Sequence, residues 1–109
     1  MKIIETDNAP KAIGTYSQAV KINGFLFISG QIPLDPSTME LVEGIENQIN
    51  QVFENINQIL KADGMDFSNV VKLSVLLEDL SHFEKVNEIM ANIFSKPYPA
   101  RAAYEVSKL

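Results

Sequence analysis

A single arginine stands among small and apolar residues in "PARAAYEV", the stretch from Pro99 to Val106. Its guanidinium is a planar fork of N–H donors that stays charged at any working pH and can bind a carboxylate through two parallel hydrogen bonds. Pro97 and Pro99 restrict the backbone before Arg101, which lowers the entropy lost in holding that geometry. Glu105 lies four strand residues away, about 13 Å, too far to be a direct partner. The pattern fits a carboxylate receptor or an ordinary solvated or interface arginine, and the residues alone leave both open.

Four other residues carry groups that could line a ligand site. Tyr16 opens a predicted strand and could donate its phenol to a substrate, although most strand tyrosines only pack. Ser29 and Gly30 end another predicted strand, where backbone without a side chain allows a ligand to approach closely. Asn87 lies among the apolar residues of a predicted helix and needs a hydrogen-bond partner, either a loop or a ligand. Each of these residues could also serve only packing or turn formation.

The composition excludes several classes of chemistry. The chain has no cysteine, so disulfides, thiol nucleophiles and thiolate metal sites are excluded, and a single histidine argues against zinc. That histidine, His82, begins a predicted helix without neighbours that would orient it for catalysis, so we expect it to be exposed. The net charge of −5 and the lack of a basic stripe disfavour nucleic-acid binding. The sequence shows no signal peptide and no membrane-length apolar run, which predicts a cytoplasmic location without membrane association.

The periodicity of apolar residues predicts a single α+β domain with the order β-β-β-α-β-α-β. Asn23 and Gly24 between two apolar runs indicate a hairpin, because both residues tolerate positive φ. Apolar residues at helical spacing predict a helix over residues 45–62. Ser81, with Glu84 three residues on, predicts the capping box of a second helix. The predicted strands cover residues 3–4, 16–22, 25–30, 69–77 and 101–106.

The alternation of the last strand predicts which of its residues face the helices. Ala102, Tyr104 and Val106 form the larger apolar set, so we expect this set to face the helices. Arg101 would then lie on the opposite face of the sheet. The strand over residues 69–77 shows a similar division between an apolar and a polar face. A sheet face that is neither apolar nor fully charged predicts an oligomer interface with water-filled pockets.

Four stretches, "NAPKAIGTYSQAV", "SGQIP", "VVKLSVLLEDLSHFEKVNEI" and "PARAAYEV", together resemble the reactive intermediate deaminase family, also called the RidA/YjgF family. The resemblance implies a chorismate-mutase-like fold, in which two helices cover one face of a β-sheet, and a homotrimer with a central barrel and pockets between subunits. It also implies hydrolysis of 2-iminobutanoate and 2-iminopropanoate to 2-oxo acids and ammonia, which protects pyridoxal-phosphate enzymes from these imines. The family uses no metal or other cofactor.

The same resemblance implies roles for the residues named above. Arg101 matches the arginine that binds the substrate carboxylate, and Tyr16 matches a pocket tyrosine, so these two are the expected catalytic residues. Ser29 and Gly30 match backbone that lines the site, and Asn87 matches an asparagine near the pocket. With Arg101, these three are the expected substrate-binding residues. The implied mechanism is orientation: the arginine fixes the carboxylate and places the imine carbon near a water, whose attack gives a carbinolamine that loses ammonia.

Two departures from the family pattern bear on these expectations. Thr15 stands where the family usually has proline, which we expect to loosen the loop that carries Tyr16. Relatives continue past the position of Leu109 into a final strand with a glutamate that positions the water. We therefore expect residues 1–109 to form one domain that lacks this strand, and a native product about 15 residues longer, carrying a carboxylate that reaches the Arg101 pocket.

Two other functions stay open at this point. A regulatory trimer could use the Arg101 pocket to sense 2-oxo acids without turnover. An endoribonuclease or translation inhibitor is less favoured, because the chain is acidic and has no pair of catalytic histidines.

Overall fold

The computed structural model describes residues 1–109, which form two compact units, Met1–Asp66 and Phe67–Leu109. The first unit contains β1 (Lys2–Ile4), β2 (Ala19–Ile22), β3 (Phe25–Ile28) and α1 (Ile45–Ala62). The second contains β4 (Lys72–Leu77), α2 (Phe83–Ile93) and β5 (Ala100–Glu105), with 3-10 turns at Phe67–Asn69 and Leu80–His82. The predicted α+β class and element order are confirmed. Neither helix combines the length and apolar character needed to cross a membrane.

The hairpin between β2 and β3 forms where the sequence predicted it. Asn23 and Gly24 have φ values of 51° and 80°, the left-handed conformation that a two-residue turn between twisted strands requires. Both strands are shorter than predicted. Tyr16 precedes β2, and Ser29 and Gly30 follow β3. Three of the expected site residues therefore lie in loops next to a sheet rather than within it.

One face of the antiparallel β1-β2-β3 sheet is covered by α1. Ile59 of the helix is fully buried with Ile4 of β1 and Ala19 of β2. Leu26 and Ile28 of β3 pack against the same cluster. On the opposite face, alternation and register bring together four large apolar side chains that are 45% to 60% exposed: Ile3, Ile22, Phe25 and Phe27.

The loop before β2 is held by one side chain, Gln18, which is only 4% exposed. Its Oε1 accepts a hydrogen bond from the backbone N–H of Thr6 at 2.8 Å. Its Nε2 donates to the carbonyl oxygens of Thr6 at 3.0 Å and Pro10 at 2.8 Å, with that of Ala9 at 3.3 Å. One amide thus satisfies backbone groups that no regular element pairs.

A second buried amide holds the segment after β3. Asn55 of α1 is fully buried, and its Nδ2 donates to the carbonyl oxygens of Ile32 at 3.3 Å and Leu34 at 3.0 Å. Its Oδ1 accepts from Gln51 Nε2 at 2.9 Å. The amide therefore ties the loop that follows Gly30 to the helix that covers the sheet.

The parallel pairing of β4 with β5 corrects one expectation. Leu73 pairs with Arg101 and Leu77 with Glu105, and paired residues of parallel strands point to the same face. Leu73 is half-buried and Leu77 buried, while Tyr104 on the other face is 56% exposed. The prediction that Arg101 faces away from the helices is wrong, because an arginine can pack its aliphatic stem inward and still present its charged end.

The start of α2 also differs from the prediction. Ser81 is not the N-cap; its backbone N–H donates to Asp79 Oδ1 at 2.8 Å, and Asp79 caps the 3-10 turn that leads into the helix. His82 occupies the N-cap of α2 without a side-chain cap bond, so the predicted capping box is wrong. The extra turn moves the cap two residues upstream, to the Asp79 carboxylate.

This cap predicts a pH-dependent contribution to stability. Hydrogen bonds from the Ser81 backbone and side chain hold the pKa of Asp79 below its ordinary value of 3.8. The ionised carboxylate therefore stabilises the fold fully above pH 3.8, and this contribution is lost as the pH falls through the lowered pKa. We expect Asp79→Asn to reduce the free energy of urea unfolding at neutral pH, and the difference from wild type to shrink at about pH 3. An equal difference at both pH values contradicts this, and Asp7→Asn, at an exposed aspartate without a side-chain hydrogen bond, is the control.

The Gln18 network predicts a larger effect. Gln18→Leu keeps the size of the side chain but leaves the Thr6 N–H and the carbonyl of Pro10 without their partner. We expect the free energy of unfolding to fall by about 2–4 kcal/mol, since each buried unpaired group costs about 1–3 kcal/mol. Gln58→Leu, which removes a surface bond to Glu54, should change it by less than about 0.5 kcal/mol. Equal effects of the two substitutions in urea unfolding would show that Gln18 is not a structural centre.

Candidate substrate-binding site

Arg101 lies against one face of α2, where three residues contact its guanidinium. Nη1 donates to Asn87 Oδ1 at 2.6 Å and lies 3.5 Å from the sulfur of Met90. Cζ lies 4.6 Å from the centre of the Phe83 ring, a distance at which the aromatic face attracts a cation. Positions 83, 87 and 90 are four and three residues apart, so they share one helix face. The helix thus provides a preformed seat for the only arginine of the chain.

The seat leaves the charge of Arg101 available. None of the three contacting side chains is charged, and both polar contacts use Nη1, so Nε and Nη2 make no hydrogen bond. Glu105, which the strand spacing excluded as a partner, instead accepts from the backbone N–H of Leu80 at 3.0 Å. An exposed guanidinium edge with two unused donors matches the two oxygens of a carboxylate.

Tyr16 stands at the edge of an open cavity in the first unit. Its side chain is 53% exposed, and its hydroxyl oxygen accepts from the Ile13 N–H at 3.3 Å, which leaves the hydroxyl proton to be donated. Gly14 has a φ of 120°, a conformation that favours glycine, and a Cβ there would lie at ordinary contact distance, 3.7 Å, from the Tyr16 ring. The cavity is lined by Glu5, Thr6, Asp7, Lys11, Ala12, Tyr16, Ser17 and Gln18.

Ser29 and Gly30 have different parts in the loop after β3. The Ser29 hydroxyl donates to the Ser17 carbonyl at 2.6 Å, and its N–H donates to the Gln18 carbonyl at 2.9 Å. Both donors of Ser29 are therefore used within the chain, which fixes this loop to the one carrying Tyr16. Gly30 is exposed, and nothing lies within 4 Å of the place a Cβ would take, so its backbone is open to a ligand.

The structure brings the predicted residues together in two sets. Asn87 contacts Arg101 in the second unit, and Ser29 bonds the residue next to Tyr16 in the first. His82 is half-buried rather than exposed as expected, and its side chain makes no cap hydrogen bond. No group of three or more histidine, aspartate or glutamate side chains could hold a metal ion. The sequence did not predict the contacts of Phe83 and Met90 with the arginine, although their spacing from Asn87 places all three on one helix face.

Comparison with known proteins places the chain in a family. The model of the family described as Endoribonuclease L-PSP matches residues 6–109. The human protein named 2-iminobutanoate/2-iminopropanoate deaminase is 50% identical over 109 residues, which are 99% of this chain and 80% of that protein.

Solved structures agree with this assignment. RidA from an Antarctic Psychrobacter has a TM-score of 0.96 and 52% identity, over 100% of this chain and 89% of that one. TdcF from E. coli, solved with bound serine, has a TM-score of 0.92 and 35% identity, over 100% and 88%. The resemblance seen in the sequence is confirmed: this chain belongs to the Endoribonuclease L-PSP family, the family of RidA.

Proposed function

We propose that this protein is a deaminase that hydrolyses the reactive 2-imino acids 2-iminobutanoate and 2-iminopropanoate to 2-oxo acids and ammonia. The observation that carries the proposal is the guanidinium of Arg101, seated on neutral groups with its Nε and Nη2 donors unused. The name of the human relative, at 50% identity, supports the same reaction. Removal of such imines would protect pyridoxal-phosphate enzymes, which they damage.

The chemistry follows from holding the carboxylate. In a 2-imino acid the carboxylate is bonded directly to the C=N carbon, so two hydrogen bonds from Arg101 would fix the position of the reacting carbon. Water adds to that carbon to give a carbinolamine, and the C–N bond then breaks as nitrogen leaves as ammonia and the oxygen becomes the ketone. Water supplies the oxygen and the protons, and no redox step occurs.

The other expected site residues enter the proposal with distinct tasks. Tyr16 would act with Arg101 as a catalytic residue by donating its free hydroxyl proton in a hydrogen bond to the substrate. Gly30 would approach the substrate with its open backbone, while Ser29 holds that loop through its two internal bonds. Asn87 completes the proposed substrate-binding set beside Arg101.

We also propose a homotrimer with pockets between subunits. The exposed apolar face of the β1-β2-β3 sheet supports an interface, because an uncovered face of this kind is costly in water. Leu76 and Tyr104, on the exposed face of β4 and β5, are 50% and 56% exposed and extend the same argument to the second unit. The cytoplasmic location and the single domain over residues 1–109 stay predictions.

The alternative functions differ in what they require of the site. A regulatory trimer would bind 2-oxo acids at Arg101 without turnover, and the serine in TdcF fits small-molecule binding by a relative. The family description names an endoribonuclease, but a net charge of −5 opposes approach of a phosphate backbone.

One assay separates these functions: 2-iminobutanoate is generated by a dehydratase, and its decay is followed with and without this protein. Unchanged decay contradicts deamination.

The proposal makes Arg101 essential for turnover. Arg101→Ala removes both charge and fork, and Arg101→Lys keeps only the charge. We expect the alanine variant to lose at least about 100-fold in kcat/KM, equivalent to about 3 kcal/mol for a desolvated charged contact, and the lysine variant to recover little. Lys108→Ala, which removes an exposed cation elsewhere, should be unaffected. Near-normal turnover by Arg101→Ala at unchanged stability would show that Arg101 is an ordinary surface arginine without a role in turnover.

The proposed assembly is tested by sedimentation. We expect a mass near three times 12.1 kDa at micromolar concentration. Phe27→Glu, at a side chain that is 58% exposed in the single chain, should shift the protein toward monomer, because a charge would be buried in the interface. A stable wild-type monomer would remove the trimer and its intersubunit pockets from the proposal.

A further inference from the structure

We infer that Asn87 is a positioning residue whose neutral amide keeps the charge of Arg101 uncompensated and turns its free edge toward the substrate. The inference rests on the proposed function and concerns how that site obtains its affinity for an anion. It follows from three observations: which guanidinium atoms are occupied, what occupies them, and where the nearby carboxylates are directed.

Orientation is the first step. Phe83 lies under the guanidinium, with Cζ 4.6 Å from its ring centre. Attraction to an aromatic face does not fix rotation of the guanidinium within its own plane. The 2.6 Å bond from Nη1 to Asn87 Oδ1 does fix it. With Nη1 held by Asn87 and close to Met90, the edge formed by Nε and Nη2 is the one left for a carboxylate.

Charge is the second step. An aspartate at position 87 would have the same shape and accept the same bond, but it would form an ion pair with Arg101 and compete with the substrate. Three of the other carboxylates of this unit have partners of their own. Glu88 pairs with Lys85 at 3.1 Å, Glu78 accepts from the Leu109 N–H at 2.7 Å, and Glu105 accepts from the Leu80 N–H. The seat thus combines a strong hydrogen-bond acceptor with no negative charge.

The inference predicts an unusual order of severity for two variants of Asn87. If Asn87 only filled space and accepted a hydrogen bond, the isosteric Asn87→Asp would be the milder change and Asn87→Ala the more severe one. If the neutrality of the Asn87 side chain matters, Asn87→Asp is the more severe change for anion binding and Asn87→Ala the milder one. The aspartate then lowers affinity through competition, whereas the alanine loses orientation but leaves the charge free.

The experiment measures KM and kcat for 2-iminobutanoate together with thermal unfolding. We expect Asn87→Asp to raise KM by roughly tenfold or more, with kcat within about threefold of wild type and an unfolding temperature equal to or above that of wild type, because a new ion pair forms. We expect Asn87→Ala to raise KM less and to lower kcat more. Asn92→Asp places the same charge change on an exposed residue of α2, and its kinetics should match wild type.

Binding of 2-oxobutanoate, measured by calorimetry, keeps the inference separate from the proposed function. If the wild type binds this anion but does not deaminate, the proposed function fails, and the affinities of the variants still decide the role of Asn87. Affinity for 2-oxobutanoate should fall in the order wild type, Asn87→Ala, Asn87→Asp. Binding by Asn87→Asp as tight as that of wild type, or tighter than that of Asn87→Ala, overturns the inference. Absence of binding by the wild type overturns the inference, while the imine-decay assay alone decides the proposed function.

Discussion

Polar groups taken out of water need partners, and in this chain side-chain amides provide them where no helix or sheet does. Gln18 gathers the backbone of residues 6–10, and Asn55 holds the carbonyls of Ile32 and Leu34. An amide suits this task because it offers donors and an acceptor without a charge to desolvate. The loops that carry Tyr16 and follow Gly30 take their shape from these two side chains.

The Asn87 amide beside Arg101 has the same advantage, since it accepts a hydrogen bond without carrying a charge. In the proposed function, an acidic chain with a net charge of −5 binds a small anion through its only arginine. The global charge matters little at short range, because surface charges are screened over about 10 Å in salt. What decides binding is the immediate surroundings of the guanidinium, and these are an amide, a thioether and an aromatic ring. The local site is therefore cationic within an anionic domain.

The sequence predicted what depends on short-range rules. The Asn23-Gly24 hairpin, the span of α1 and the order of the elements follow from turn chemistry and apolar periodicity, and the structure confirms each of them. Arg101 was identified as the residue to explain, and Glu105, which was excluded as its partner, accepts from the Leu80 N–H instead. These results need no knowledge of which segments meet in space.

What the sequence did not predict depends on tertiary contacts. The face of Arg101 was assigned by side-chain volume, but the parallel register with Leu73 turned it toward α2. Gln18 and Asn55 were not identified, because the amino-acid type does not reveal which backbone groups a buried amide will satisfy. Asp79 replaced Ser81 as the cap because an extra 3-10 turn precedes the helix, a choice that periodicity does not encode.

Reliance on amides at Gln18 and Asn55 has a consequence for the protein's response to prolonged heat. Asparagine and glutamine are thermolabile, and their hydrolysis replaces an N–H donor group with an acid. At Asn55, which is fully buried, the product would place a carboxylate against the Ile32 and Leu34 carbonyls, where both groups only accept. Hydrolysis of this one side chain in the interior would therefore release the loop after Gly30 without breaking the chain.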